Sequence, residues 1–259
     1  MQPCQNCAAP LAGPYCHQCG QKALTERITL RYILRSFLEA LTNVERGFWY
    51  TMRELAVRPG VVAREYIEGK RQRYYHPVRF LLILVTVATL VTLSLGIYDM
   101  QQSEILHLQN DALGLNPDEA STARQQKIQE EVKKYLNLVA MATLPFISLV
   151  GFRLFRKRAY NYAEHLVMVA FWSAELAVVG LFIQVPLSFI PGALIYALPA
   201  TILVSSLYYG LGYRQVFGIG YGQAFFKGLL ANLLGFLLMF LAVLLLTVLG
   251  VLIFVGIFK

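Results

Sequence analysis

The chain has 259 residues, 57% of them hydrophobic and 15% charged, with 23 Lys or Arg against 15 Asp or Glu. A mean hydropathy of +0.52 is too apolar for an ordinary soluble domain. Long uncharged runs instead indicate an all-α polytopic membrane protein.

In chain order, the first expected element is a metal module. Cys4-Gln5-Asn6-Cys7 and Cys16-His17-Gln18-Cys19 contain every cysteine of the chain. Each bracket wraps a turn that points two thiolates at one ion, and two such turns complete the four-sulfur shell that suits structural zinc. Gly20 follows the second bracket, where a residue without a side chain lets the turn exit most easily. The brackets lie closer together than in the usual ribbon, so residues 1–23 read as a miniature zinc ribbon with little sheet. A disulfide would need an oxidising compartment, a redox pair would need a neighbouring strand–helix unit, and rubredoxin-like iron would need a redox partner. His17 is a possible substitute ligand, but four sulfurs already fill the shell. Residues 1 to 21 contain no Lys or Arg, so the ribbon reads as a folded cap or protein-docking knob and not as a nucleic-acid reader.

Residues 24–79 read as cytoplasmic amphipathic helices. Leu30, Ile33, Leu34, Phe37, Leu38 and Leu41 recur at helical spacing, with Arg31, Arg35 and Glu39 elsewhere on the wheel. A second piece covers Phe48 to Val57 and stops at Arg58-Pro59-Gly60; a third covers about Val61 to Gly69. Such helices lie in the headgroup layer or pack on the spans as a cap, and periodicity does not choose between these. Lys70, Arg71, Arg73 and Arg79, among tyrosines, read as a lipid-headgroup anchor.

The remaining residues, 80–259, form the membrane domain, with spans at about 80–98, 135–155, 162–186, 192–212 and 226–252. No apolar core of the signal-peptide kind precedes Phe80. Residues 1–79 carry twelve basic and six acidic side chains, whereas 99–134 carry four and seven. Arg153, Arg156, Lys157 and Arg158 follow the second span, and Arg214 and Lys227 flank the loop after the fourth. The positive-inside rule then sets the N-terminus in the cytoplasm and both loop 99–134 and the C-terminus outside. In the outer loop, Asn116-Pro117-Asp118-Glu119 reads as a helix start capped by Asn116. Pro145 is expected to kink the second span, with Pro186 and Pro199 as further break points.

Few polar residues fall within the spans. Glu164 and Glu175 are eleven residues apart, so they share a helix face about 16 Å apart along the axis. Glu175 is the deeper, and an ionisable group there is either a proton carrier or a neutral acid bonded to Asn137, Asn232 or a tyrosine. Glu164 and His165 read as a pair at the cytoplasmic end of the third span. Gly210, Gly212, Gly218, Gly220 and Gly222 read as an interfacial turn, and Ala231 with Gly235 as a small-xxx-small packing pair. Gly-x-Ser-x-Gly, Walker-loop and His-Glu-x-x-His motifs are all missing, which argues against an enzyme.

Tyr15-Cys16 through Lys22, Arg58-Pro59-Gly60, Glu65-Tyr66-Ile67 with Gly69-Lys70-Arg71, Tyr74 to Pro77, Tyr162 to Leu166, and Tyr208 to Gly222 together resemble an uncharacterised bacterial family. That family, a domain of unknown function, joins an N-terminal zinc ribbon to a polytopic helical domain. Its members often carry further histidines just after Glu-His-Leu, where this chain has Phe171, Trp172 and Ser173. The resemblance implies the bacterial inner membrane and this architecture, and no activity. Three readings of function remain. The first is a scaffold, assembly or regulatory protein docking a partner at the cytoplasmic face through the ribbon. The second is a proton-coupled transporter or channel using Glu175. The third is a lipid-modifying intramembrane enzyme using Glu164 and His165.

Overall fold

The computed structural model describes residues 3–23, 29–31, 33, 47–114 and 118–257. Most of the amphipathic pattern read over 30–41 lies outside them, as do Asn116 and Pro117. The described chain is helical throughout, apart from the ribbon and its loops.

The ribbon is built from two copies of one turn. Cys4 N–H donates to Ala9 O and Cys16 N–H to Gln21 O, both at 2.7 Å; Ala8 N–H returns to Cys4 O and Gly20 N–H to Cys16 O. Single antiparallel bridges, Pro3 with Pro10 and Tyr15 with Lys22, close each copy. Gly20 exits its turn at φ +73°, as its position predicts, and Ala8 makes the same exit at φ +62°.

Helices α1 (Phe48–Val57) and α2 (Pro59–Ile67) form a hairpin whose tip is Arg58-Pro59. Pro59 fits the first turn of α2 because it has no N–H to leave unpaired. A loop then leads to α3 (Pro77–Ser94), which again opens on a proline. Two helices follow, α4 (Ile97–Leu113) and α5 (Glu119–Lys134), and then α6 (Leu136–Leu154). The remaining elements are α7 (Tyr162–Ser188), a 3₁₀ turn (Leu194–Tyr196), α8 (Ala197–Phe217) and α9 (Tyr221–Ile257). Among the described residues, five segments are long and apolar enough to cross a membrane: Pro77–Ser94, Leu136–Leu154, Tyr162–Ser188, Leu194–Phe217 and Tyr221–Gly250.

α7 is the centre of the bundle. It packs against α3, α6, α8 and both helices of the hairpin. Met168, Phe171, Trp172 and Ala174 on it are fully buried. α9 lies against α6 and α8, and the Ala231–Gly235 pair does what its spacing predicts: a Cβ on Gly235 would lie 2.5 Å from Ile147 Cγ1.

Two expectations are corrected, and the outer segment gains detail. α5 is capped by Asp118, not Asn116: the Asp118 carboxylate accepts from Ser121 N–H at 3.0 Å, the same three-residue reach shifted along the chain. Tyr135 separates α5 from α6. α8 runs to Phe217, so Gly210 and Gly212 are helical and serve close packing, not a turn. The outer segment carries a second helix, α4, which is tied to the bundle: Glu104 accepts from Gly192 N–H (3.1 Å) and Ile195 N–H (3.2 Å), fixing the 3₁₀ turn.

Candidate functional site

The four cysteine sulfurs all lie within 4.8 Å of one another, and none is in a disulfide. Cys4 and Cys19 sulfurs are 3.6 Å apart, Cys7 and Cys16 sulfurs 3.5 Å. Zn–S bonds of about 2.3 Å in a regular tetrahedron set edges of about 3.8 Å, so the cluster fits a four-coordinate thiophilic metal. Backbone amides of Cys19 and Gln18 bring the Cys16 thiol down to about 6, ahead of burial, which opposes them. The Ala9 amide pulls Cys7 the same way, yet burial and the three neighbouring thiols push it up to about 12. Four sulfurs this close cannot all ionise without a cation among them, and a divalent metal resolves that conflict.

The ribbon is fastened to the loop after α2. Gln21 Nε2 donates to Gly69 O at 2.6 Å, and Gln21 Oε1 accepts from Gln72 N–H at 3.2 Å; the side chain is buried. Gly69 sits at φ +116°, and a Cβ there would collide with the Gln5 side chain. This amide bridge between segments about fifty residues apart is not visible in a linear motif.

The hairpin packs against the spans and does not stand apart from them. Leu55, Val62 and Ala63 are fully buried. Trp172 Nε1–H donates to Pro59 O at 3.0 Å, Tyr208 O–H to Leu55 O at 2.8 Å, and Gly60 N–H to Gln215 Oε1 at 2.8 Å. Trp172 lies ten residues into α7, about 15 Å along its axis, so the tip reaches well into the bundle. Arg58 pairs with Glu54 on the preceding turn.

The basic residues beyond the hairpin have partners within the chain. Lys70 Nζ is 3.0 Å and Arg73 Nη1 3.8 Å from the Glu65 carboxylate, which also accepts from Tyr74 O–H. Burial alone would raise the Glu65 carboxyl; Tyr74 and Lys70 outweigh it and hold the group below its ordinary range. Arg71 lies over the Tyr66 ring, and Arg79 is buried against Tyr75.

Within the spans, Glu164 has a local structural task. Its carboxylate accepts from Asn161 N–H (2.7 Å) while Asn161 Oδ1 accepts from Glu164 N–H (2.9 Å), a complete capping box at the start of α7. His165 is buried beside it, its ring stacked against Phe155 and Phe217 with Phe152 edge-on. Among the described residues neither ring nitrogen has a hydrogen-bond partner, and neither does the Tyr213 hydroxyl. Both groups converge on Gly151: a Cβ there would lie 2.5 Å from Tyr213 Oη and 3.4 Å from His165 Nδ1. Glu175 is buried on the same helix, and its Oε2 has no partner among the described residues. The asparagines expected to satisfy it are engaged elsewhere, Asn137 with Thr89 and Asn232 with Ser205.

A family model described as protein of unknown function (DUF3667) matches residues 45–89. The matched stretch covers the hairpin, the Gly69 loop that seats the ribbon, and the first turns of α3. The resemblance drawn from the sequence is borne out there, and the clustered cysteines and apolar helices complete the architecture it implies. No curated protein and no solved structure matches the chain.

Proposed function

We propose that the protein is a bacterial inner-membrane scaffold or assembly factor whose structural zinc ribbon docks a protein partner at the cytoplasmic face. The observation that carries this reading is the Gln21 bridge to Gly69 and Gln72, which mounts the ribbon in one orientation on the hairpin loop. A rigidly mounted module binds with little ordering cost. Its outward surface suits a protein more than nucleic acid: Tyr15 is 60% exposed, and the first 21 residues carry no Lys or Arg. Zinc is the metal best matched to four thiolates in a reducing compartment.

The test is in-cell crosslinking and pull-down of the intact protein beside a Cys16→Ser, Cys19→Ser variant, with zinc measured on both. Loss of zinc and of a specific partner together, with the membrane domain still folded, is the expected result. Retention of every partner by the zinc-free variant overturns the docking role.

A second reading is favoured by the unpartnered Oε2 of buried Glu175, a proton carrier for transport. Normal proton-coupled flux by Glu175→Gln protein in liposomes removes it.

A further inference from the structure

A cleft of about 330 Å³ opens between α8 and the start of α9. Leu207, Gly210 and Leu211 form one wall, Ala224 and Phe225 the other, and Arg214 and Tyr221 stand at its edge. Leu207 is half-exposed, so the apolar wall faces outward from the bundle. The Arg214 guanidinium lies 3.8 Å from the Tyr221 ring centroid, a cation–π contact.

Arg214 differs from Lys70, Arg73 and Lys227, the other cations near the cleft that have partners within the chain. Lys70 and Arg73 share the Glu65 carboxylate. Lys227, only six residues from Tyr221, turns away to the Leu154 carbonyl and the Phe155 ring. Among the described residues Arg214 has neither a carboxylate within ion-pair distance nor a hydrogen-bond acceptor. A guanidinium leaves its fork open for a planar or tetrahedral anion, and phosphate is the anion it grips best.

We infer that the α8–α9 cleft binds one anionic phospholipid from the surrounding leaflet, its phosphate on Arg214 and an acyl chain along Leu207, Leu211 and Phe225. The occupant is a lipid because the cleft lies between two spanning helices and faces outward, where acyl chains are the neighbouring medium. It is anionic because the one charged side chain lining the cleft is an uncompensated positive charge. The size falls within the range of small-molecule sites and leaves the rest of the lipid in the bilayer.

Native mass spectrometry of the full-length protein, with phosphatidylglycerol or phosphatidylcholine of the same acyl composition added, tests the assignment. The intact protein is expected to retain one phosphatidylglycerol with about fivefold preference over phosphatidylcholine. Arg214→Gln is expected to lose that preference, Arg214→Lys to keep part of it, and Ala224→Phe, which fills the cleft, to displace both lipids. Lys227→Gln is expected to leave the preference unchanged. Partial retention of the preference in Arg214→Lys, and a melting temperature of Arg214→Gln equal to that of the intact protein, separate loss of the charge from loss of the fold. Equal retention of the two lipids by the intact protein overturns the assignment, as does an unchanged ratio in Arg214→Gln. Loss of the ratio in Lys227→Gln, or displacement of the lipid by inorganic phosphate alone, overturns it as well.

Discussion

Gln21 satisfies two backbone groups of a distant loop with one amide; the bond to Gly69 O is buried and that from Gln72 N–H is partly so. Replacing it with Leu leaves Gly69 O and Gln72 N–H without that partner, a loss of about 1–3 kcal/mol. The expected outcome is a ribbon that proteases release from the helical bundle while metal content is unchanged. Ala8 is the weak point of the first turn, because φ +62° places its Cβ against the following carbonyl. Ala8→Gly is expected to stabilise the metal-loaded ribbon by about 1 kcal/mol, read as slower metal loss to a chelator. His76 adds a pH dependence at the entry to α3. Burial, then the nearby Arg79 and Arg71, lower it to about 4. The unfolded chain therefore takes up a proton near pH 6.5 that the folded chain refuses. Stability is full above that pH and falls toward pH 4 by up to about 1.4 kcal/mol per unit. The melting temperature of a His76→Phe protein should depend less on pH across that window. Gly20 and the cysteines were legible because their chemistry is local. Gln21 was not, since its partners are brought to it only by the fold.

At the scale of elements, α1 and the five long apolar helices were readable from length and periodicity, because burial imprints both on the sequence. The position of the hairpin was not readable. Its apolar faces suit a bilayer surface and a helix groove equally, and only contacts such as Trp172 to Pro59 decide for the groove. Gly210 and Gly212 misled for a related reason: a glycine that admits a neighbouring ring and a glycine that turns the chain look alike in one dimension. A Cβ on Gly60 would strike the Gly212 carbonyl and the Gln215 side chain. Gly60→Leu is accordingly expected to unseat the hairpin at a cost of about 1–3 kcal/mol or more, seen as a lower melting temperature in detergent with metal content unchanged. Glu104 went unrecognised because a charged residue in a polar loop usually faces water; here it holds the 3₁₀ turn.

For the whole molecule, the candidate metal site and the helical bundle are joined in series: cysteine cluster, Gln21, Gly69 loop, hairpin, α7 and α8. Metal removal is therefore expected to loosen the ribbon first and leave the bundle folded, since Leu55, Val62 and Trp172 are buried without its help. Circular dichroism before and after chelation should show nearly constant helix content, and a large loss of helix contradicts this order. The glutamates within α7 remain the least legible part of the site. Sequence spacing gives their common face, but it does not tell that Glu164 closes a capping box while Glu175 Oε2 has no partner among the described residues. The arrangement around the hairpin tip has an optical consequence. The chain has two tryptophans; Trp49 is 77% exposed, and Trp172 is fully buried with its indole N–H on the hairpin itself. In a Trp49→Phe protein the remaining fluorophore emits at short wavelength while the hairpin is seated and shifts to the red when it withdraws. The protein thus carries its own gauge of hairpin position, readable in a lipid vesicle without any attached dye.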